Sequence, residues 1–137
     1  MWLLSIGLGI FAPMGGLSNQ FATGNELKIS CQANFFPIVV GVRVITFKRD
    51  KLNVNIFEFT GEKKFCLFNR IYPSVGVGGY YATKSLNNGF ENEFDLCLDF
   101  GFSVSYPITE TLIFYPEISY LTVPQGISLG LSLGINL

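Results

Sequence analysis

Histidine is absent from the 137 residues. Without an imidazole, the usual Ser–His pair for acyl transfer cannot be built, and a zinc site loses one of its customary ligand types. The cysteines, Cys31, Cys66 and Cys97, are odd in number and spaced in no metal-binding pattern, so they read as small apolar fillers. No phosphate loop is present, because Val75-Gly76-Val77-Gly78-Gly79 falls within a strand pattern and opens no helix. No catalytic residue, metal or cofactor is expected. Charge is scarce as well: Asp, Glu, Lys and Arg make up 14% of the chain, against roughly 25% in an average globular domain. The net charge of -1 provides no basic stripe for nucleic acid. No apolar run approaches the 18 or so residues of a spanning helix. Residues Met1 to Asn25 are uncharged but broken by Gly7, Gly9, Pro13, Gly15 and Gly16, and they lack the basic start of a secretory leader. If the protein is exported, its leader is expected to have been removed from this chain or to be absent from it.

Apolar residues and glycine are abundant: 49% of the chain is hydrophobic, with 15 Gly, 14 Phe and 6 Tyr. The tail, QGISLGLSLGINL, organises the reading. Ile127, Leu129, Leu131, Leu133, Ile135 and Leu137 alternate with Gly126, Ser128, Gly130, Ser132, Gly134 and Asn136. Strict period two marks a strand with one greasy face and one face of very small groups. A soluble sheet would put solvated side chains on the second face. Glycine in a strand implies close approach of another group. Lipid outside and a crowded lumen inside account for both faces.

The same two faces recur in Trp2–Ala12, in Arg70–Tyr81 and, with seven matches, in Phe94–Tyr106. Further strands are expected over Leu27–Phe35, Ile38–Ile45 and Leu112–Thr122. The pattern is weakest from Leu52 to Asn69, where Glu58 falls in line with Val54 and Ile56. There a strand, a turn at Gly61–Lys64 and a short strand over Phe65–Phe68 are predicted. Phe36-Pro37 and Pro107–Glu110 read as compact turns, Val123–Gly126 as a brief one. Asn19–Asn25, Lys48–Lys51 and Lys84–Glu93 read as polar connections at the opposite end from the first two. Pro73 and Pro116 each remove a ladder donor, so bulges are predicted at both.

About eight strands in a single domain, residues 1–137, give an all-β, antiparallel up-and-down transmembrane barrel with the N- and C-terminal strands paired. Eight strands enclose only enough room for side chains. Where alternation is clear, charges lie on the small-residue face: Glu26, Lys28, Arg43, Asp95, Asp99 and Glu117, with Arg70 joining them. A lumenal charge network is predicted, Lys28, Arg43 and Arg70 facing Asp95, Asp99 and Glu117, since an unpaired buried charge costs several kcal/mol. Asp95 and Asp99 lie roughly 13 Å apart along a strand, too far for two carboxylates to act on one bond. Trp2, Tyr81, Tyr106 and Tyr120 fall near strand ends, where aromatic girdles form.

The segments IGLGIFAPMG, YPSVGVGGYY, and GFSVSYPITETLIFYPEISY followed by ISLGLSLGINL resemble the small eight-stranded outer-membrane β-barrel proteins of Gram-negative bacteria. The resemblance implies a porin-like architecture in the cell envelope, a periplasmic N-terminus, exterior long loops, contact with outer-membrane lipid and insertion by the outer-membrane assembly machinery. That family usually ends in an aromatic residue, whereas this chain ends in Leu137. The expected function is a non-enzymatic, monomeric integral barrel with a filled lumen, serving envelope integrity, loop-mediated surface binding or limited small-solute passage. The alternative is a soluble lipocalin-like barrel with its greasy rows turned inward around a lipophilic ligand. No loop names a binding partner.

Overall fold

The computed structural model describes residues 2–15, 18, 21–33, 35–49, 52–86 and 89–137. Alternation becomes structure almost everywhere that it is strict. Strands β1 (Trp2–Pro13), β2 (Gly24–Ala33), β3 (Ile38–Arg49), β4 (Leu52–Lys64), β5 (Ile71–Leu86), β6 (Gly89–Val104), β7 (Tyr106–Pro107), β8 (Leu112–Thr122) and β9 (Gln125–Asn136) form one antiparallel sheet. β7 continues β6 past Ser105, and both pair with β8 in one unbroken register, Ser103 opposite Glu117 and Tyr106 opposite Phe114. Counting β6 and β7 as one, the barrel has eight staves. It closes where β1 pairs with β9, from Leu3 opposite Asn136 to Pro13 opposite Gly126. Trp2 and Leu137 complete the seam, each backbone N–H donating to the other's carbonyl at 2.9 and 2.7 Å.

The register fixes the tilt. Leu4, Cys31, Val40, Gly61, Val77 and Leu98 stand side by side on successive strands; the row passes through Thr122 and Gln125 and returns at Met14, ten residues beyond its start. A stagger of that size over eight staves tilts the strands by about 40° and leaves an interior filled by side chains. Room inside is so limited that glycine is obligatory at particular points. A Cβ on Gly9 would lie 2.7 Å from the Leu129 carbonyl oxygen and 3.1 Å from the Gly130 Cα.

The greasy rows face outward. Leu8 is 68% exposed and Leu129 57%, while Gly7, Ser128 and Ser132 on the opposite faces are buried. A lipophile carrier would need those rows turned inward, so the lipocalin-like alternative loses its premise. Outward aromatics adjoin across neighbouring strands, Phe57 beside Tyr81 and Tyr81 beside Phe94, within β4, β5 and β6, while Trp2 and Tyr106 lie at the rim that carries the chain termini.

Several expectations are corrected. Gly61–Lys64 is no turn: β4 runs through it, and the chain reverses at residues 65–70, where Phe68 and Asn69 take left-handed backbone (φ 52° and 63°). Phe65–Phe68 forms no strand, only an isolated bridge between Leu67 and Ile71. Lys84–Glu93 is no loop; β5 and β6 pair across it from Lys84 opposite Glu91 to Leu86 opposite Gly89. The expected connections at Asn19, Gln20, Asp50, Lys51 and the Asn87-Asn88 tip lie outside the described residues. Neither proline needs a bulge. Pro73 turns its donorless nitrogen toward β4 beyond Lys64, where its carbonyl meets the Phe65 N–H at 2.8 Å. Pro116 lies where the β8 ladder skips Val104 and Ser105 between Ser103 and Tyr106.

Gly9→Val should therefore force β1 off β9, an overpacking cost of about 1–3 kcal/mol. On a gel of unboiled protein the compact, fast-migrating band should diminish sharply, whereas Ile10→Val, on the outward face, should leave it intact.

Candidate functional site

The interior has two layers. Toward the rim that carries the β5–β6 hairpin, it is apolar: Phe11, Ile45, Phe47, Ile56 and Leu121 are wholly buried. Phe47 is the hub, meeting Phe11 edge-on at 5.8 Å and Phe21 at 5.1 Å between ring centroids. This plug exists because inward positions change character along each strand. On β3, Ile45 and Phe47 follow Arg43 at two-residue steps; on β4, Val54 and Ile56 precede Glu58 in the same way.

Below the plug lies the charge cluster, centred on Arg43. Its guanidinium reaches three carboxylates: Nε lies 3.3 Å from Glu26 Oε1, Nη1 3.4 Å from Glu58 Oε1 and Nη2 3.0 Å from Asp99 Oδ2. Nη2 also donates to Ser119 Oγ at 3.3 Å. Lys28 lies next to Arg43 across the β2–β3 pair. Its ammonium is drawn the other way, 3.5 Å from both Glu62 Oε2 and Glu117 Oε2. Around these two cations stand five carboxylates, Glu26, Glu58, Glu62, Asp99 and Glu117. Glu26 Oε2, Glu58 Oε2 and Asp99 Oδ1 find no hydrogen-bond partner among the described residues, and neither does Arg43 Nε, which faces Glu26 by charge without hydrogen-bond geometry. The fork of Arg43 donates to Glu58, Asp99 and Ser119 and holds Glu26 by charge alone, a spread that one point charge could not match.

The remaining lumen is small by composition. Ser5 and Ser30 share a hydrogen bond at 2.5 Å below the cluster, and a Cβ on Gly76 would already touch Asp99 Cβ and the Gly61 carbonyl at 3.4 Å. Lys64 closes the lower end, its ammonium 5.5 Å from the Tyr115 ring centroid.

Of the residues predicted from sequence, the structure brings Glu26, Lys28, Arg43, Asp99 and Glu117 together. Arg70 does not join them; it is exposed in the turn after β4. Asp95 has the inward parity, opposite Tyr80 of the apolar layer, but is exposed and outside the charge cluster. Sequence reasoning missed Glu58 and Glu62. Their signal was the alternation of Phe57 and Phe59 with Glu58 and Thr60, in which the phenylalanines mark the outward row. Among the described residues, no group of His, Cys, Asp and Glu is arranged to hold a metal ion. The arrangement can seal and brace a lumen.

Comparison with solved structures places this geometry among known folds. Over 99% of this chain and 96% of the other, the structure is similar to Neisserial surface protein A, with a TM-score of 0.64 and 13% identity. The N-terminal β-barrel domain of Pseudomonas aeruginosa OprF matches with a TM-score of 0.59 and 14% identity, covering 99% of this chain and 97% of that one. Ail, the attachment invasion locus protein of Yersinia pestis, matches with a TM-score of 0.60 and 14% identity, covering 97% and 94%. No family model matches, and no curated protein sequence does. The fold is that of the small eight-stranded outer-membrane β-barrels.

Arg43→Met should strand three buried carboxylates and cost about 3–5 kcal/mol. A urea titration in detergent, followed through the single tryptophan, Trp2, measures it. Arg70→Ala, in the exposed turn, should stay within about 0.5 kcal/mol of the parent.

Proposed function

We propose that this chain is an integral barrel of the bacterial outer membrane, non-enzymatic and monomeric, whose work is done at its surface and not through its lumen. One observation carries the reading: the apolar rows of β1, β6 and β9 face outward while every clustered charge faces inward. In a bilayer all backbone groups must pair, which a closed barrel achieves without an edge. The outward faces provide the lipid contact. The rim with the chain termini and compact turns faces the periplasm, and the β5–β6 hairpin stands outside.

The two-layered lumen favours a brace or a presenting scaffold over a conduit. Arg43 with its carboxylates blocks the middle, and the Phe11–Phe47 plug blocks the outer end. Solute passage is thus the least favoured of the roles open to such a barrel. Envelope integrity and surface binding fit a rigid wall that raises one hairpin above the membrane. Insertion would rely on the outer-membrane assembly machinery.

In a planar bilayer the parent protein should give no large stable channel, and Arg43→Ala should raise the leak. A steady large conductance from the parent would overturn the sealed lumen. Leu131→Arg, on the outward face of β9, should cost about 2–4 kcal/mol in a lipid environment; an unchanged urea midpoint in lipid vesicles would count against the membrane location.

A further inference from the structure

The barrel is closed only up to a certain height. β8 accompanies β6 from Ser103 to Asp99 and then turns into β9 after Thr122. β6 continues to Gly89, held on one side by β5 and, among the described residues, flanked on the other by no strand. The first two residues beyond the pairing have substitutes for the missing neighbour. Thr122 Oγ1 accepts from the Leu98 N–H at 2.9 Å and donates back to the Leu98 carbonyl at 3.5 Å. The Leu96 N–H is taken by the Asp95 carboxylate at 2.7 Å. Alternate residues of a strand direct their N–H and C=O to the same edge, so Phe94 and Asn92 present theirs on the open side.

The chemistry flanking that edge is lopsided. Glu91, Glu93 and Asp95 are exposed in a row on one face, with Lys84 as the facing cation. Phe94, 72% exposed, lies on the other face. A hollow of about 370 Å³ lined by Ala82, Lys84, Glu91, Asn92 and Glu93 adjoins the acidic row.

We propose that the open edge of β6 at Asn92–Phe94 pairs with an extended segment of a partner protein whose side chains alternate basic and apolar. The partner's backbone would complete the ladder, its cations would lie along Glu91, Glu93 and Asp95, and its apolar residues would lie beside Phe94. Asp95, already bonded to Leu96, ends the usable edge on the membrane side. A second copy of this chain is a poor occupant, because edge-to-edge pairing would set acidic row against acidic row. The inference deepens the surface-binding role and rests on it only in placing this rim outside the membrane.

The test uses the whole barrel in a neutral detergent and a fluorescent nine-residue peptide alternating lysine with valine, with a glutamate-for-lysine counterpart as control. The lysine peptide should bind and the glutamate peptide should not. Glu91→Lys with Glu93→Lys should weaken binding about tenfold or more, and Phe94→Pro, which removes an edge donor without touching the β5 ladder, should do likewise. Binding that survives Phe94→Pro unchanged would reduce the contact to charge alone and overturn strand addition. Equal binding of both peptides, or of neither, would overturn the proposal too. The unboiled gel band verifies that each variant remains a closed barrel, so failure here is separable from failure of the membrane reading.

Discussion

Arg43 is the constraint on which the interior depends. It lies 1% exposed at the centre of an eight-stave barrel, within 3.4 Å of carboxylates from β2, β4 and β6. Strands far apart in sequence are thereby tied through one side chain, across the lumen as well as around the wall. Hydrogen bonding between adjacent strands fixes register but says little about how a barrel's far sides approach. A central guanidinium does. Lysine would be a compact point charge there, whereas the planar fork supplies directed donors to several acceptors at once. Lys28 takes the acids that Arg43 does not reach, so neighbouring like charges on β2 and β3 are pulled to different partners.

The small residues follow from the same crowding. Long charged side chains fill the middle of the lumen, so facing positions must withdraw to Gly or Ser. Gly76 underlies Asp99, and Gly130 lies with its would-be Cβ 3.5 Å from Glu117. The Gly/Ser row of β9 is thus the complement of the charge cluster on β2, β3, β4, β6 and β8. A soluble sheet would have no reason to spend glycines this way, since their backbone entropy makes them costly in strands.

Much of this was legible in the sequence because the two faces of most strands differ all along their length. The tail, Trp2–Ala12 and Phe94–Tyr106 read correctly on period alone, and the pairing of first and last strands followed. Glu58 and Glu62 were hidden because the inward face is not uniform: on β4 it passes from Val54 and Ile56 in the plug to Glu58 and Glu62 in the cluster. A rule that assigns each face one polarity breaks where the lumen changes layer. Height is equally silent in a sequence. Asp95 has the same parity as Asp99, yet four residues carry it out of the cluster and onto an exposed stretch of β6. Lys84–Glu93 resembled a loop for a related reason, since a hairpin rising into water can be polar on both faces and loses the alternation that marks a strand.

Closure and opening are then two answers to one backbone problem. Through the closed part of the wall every strand has two neighbours, and the first β6 N–H groups beyond the pairing with β8 are capped by Thr122 and Asp95. These caps stand at the height where pairing with β8 ends, which is where an unsatisfied N–H would be most costly. Above them water can solvate the edge, and no cap is needed. An exposed edge invites foreign strands, and proteins commonly guard such edges with charge. Here the charges are all of one sign along the edge strand itself, Glu91, Glu93 and Asp95. A guard of that kind repels its own copies but attracts a strand of opposite charge, so under the proposed strand addition one row of residues would both discourage self-pairing and select the partner.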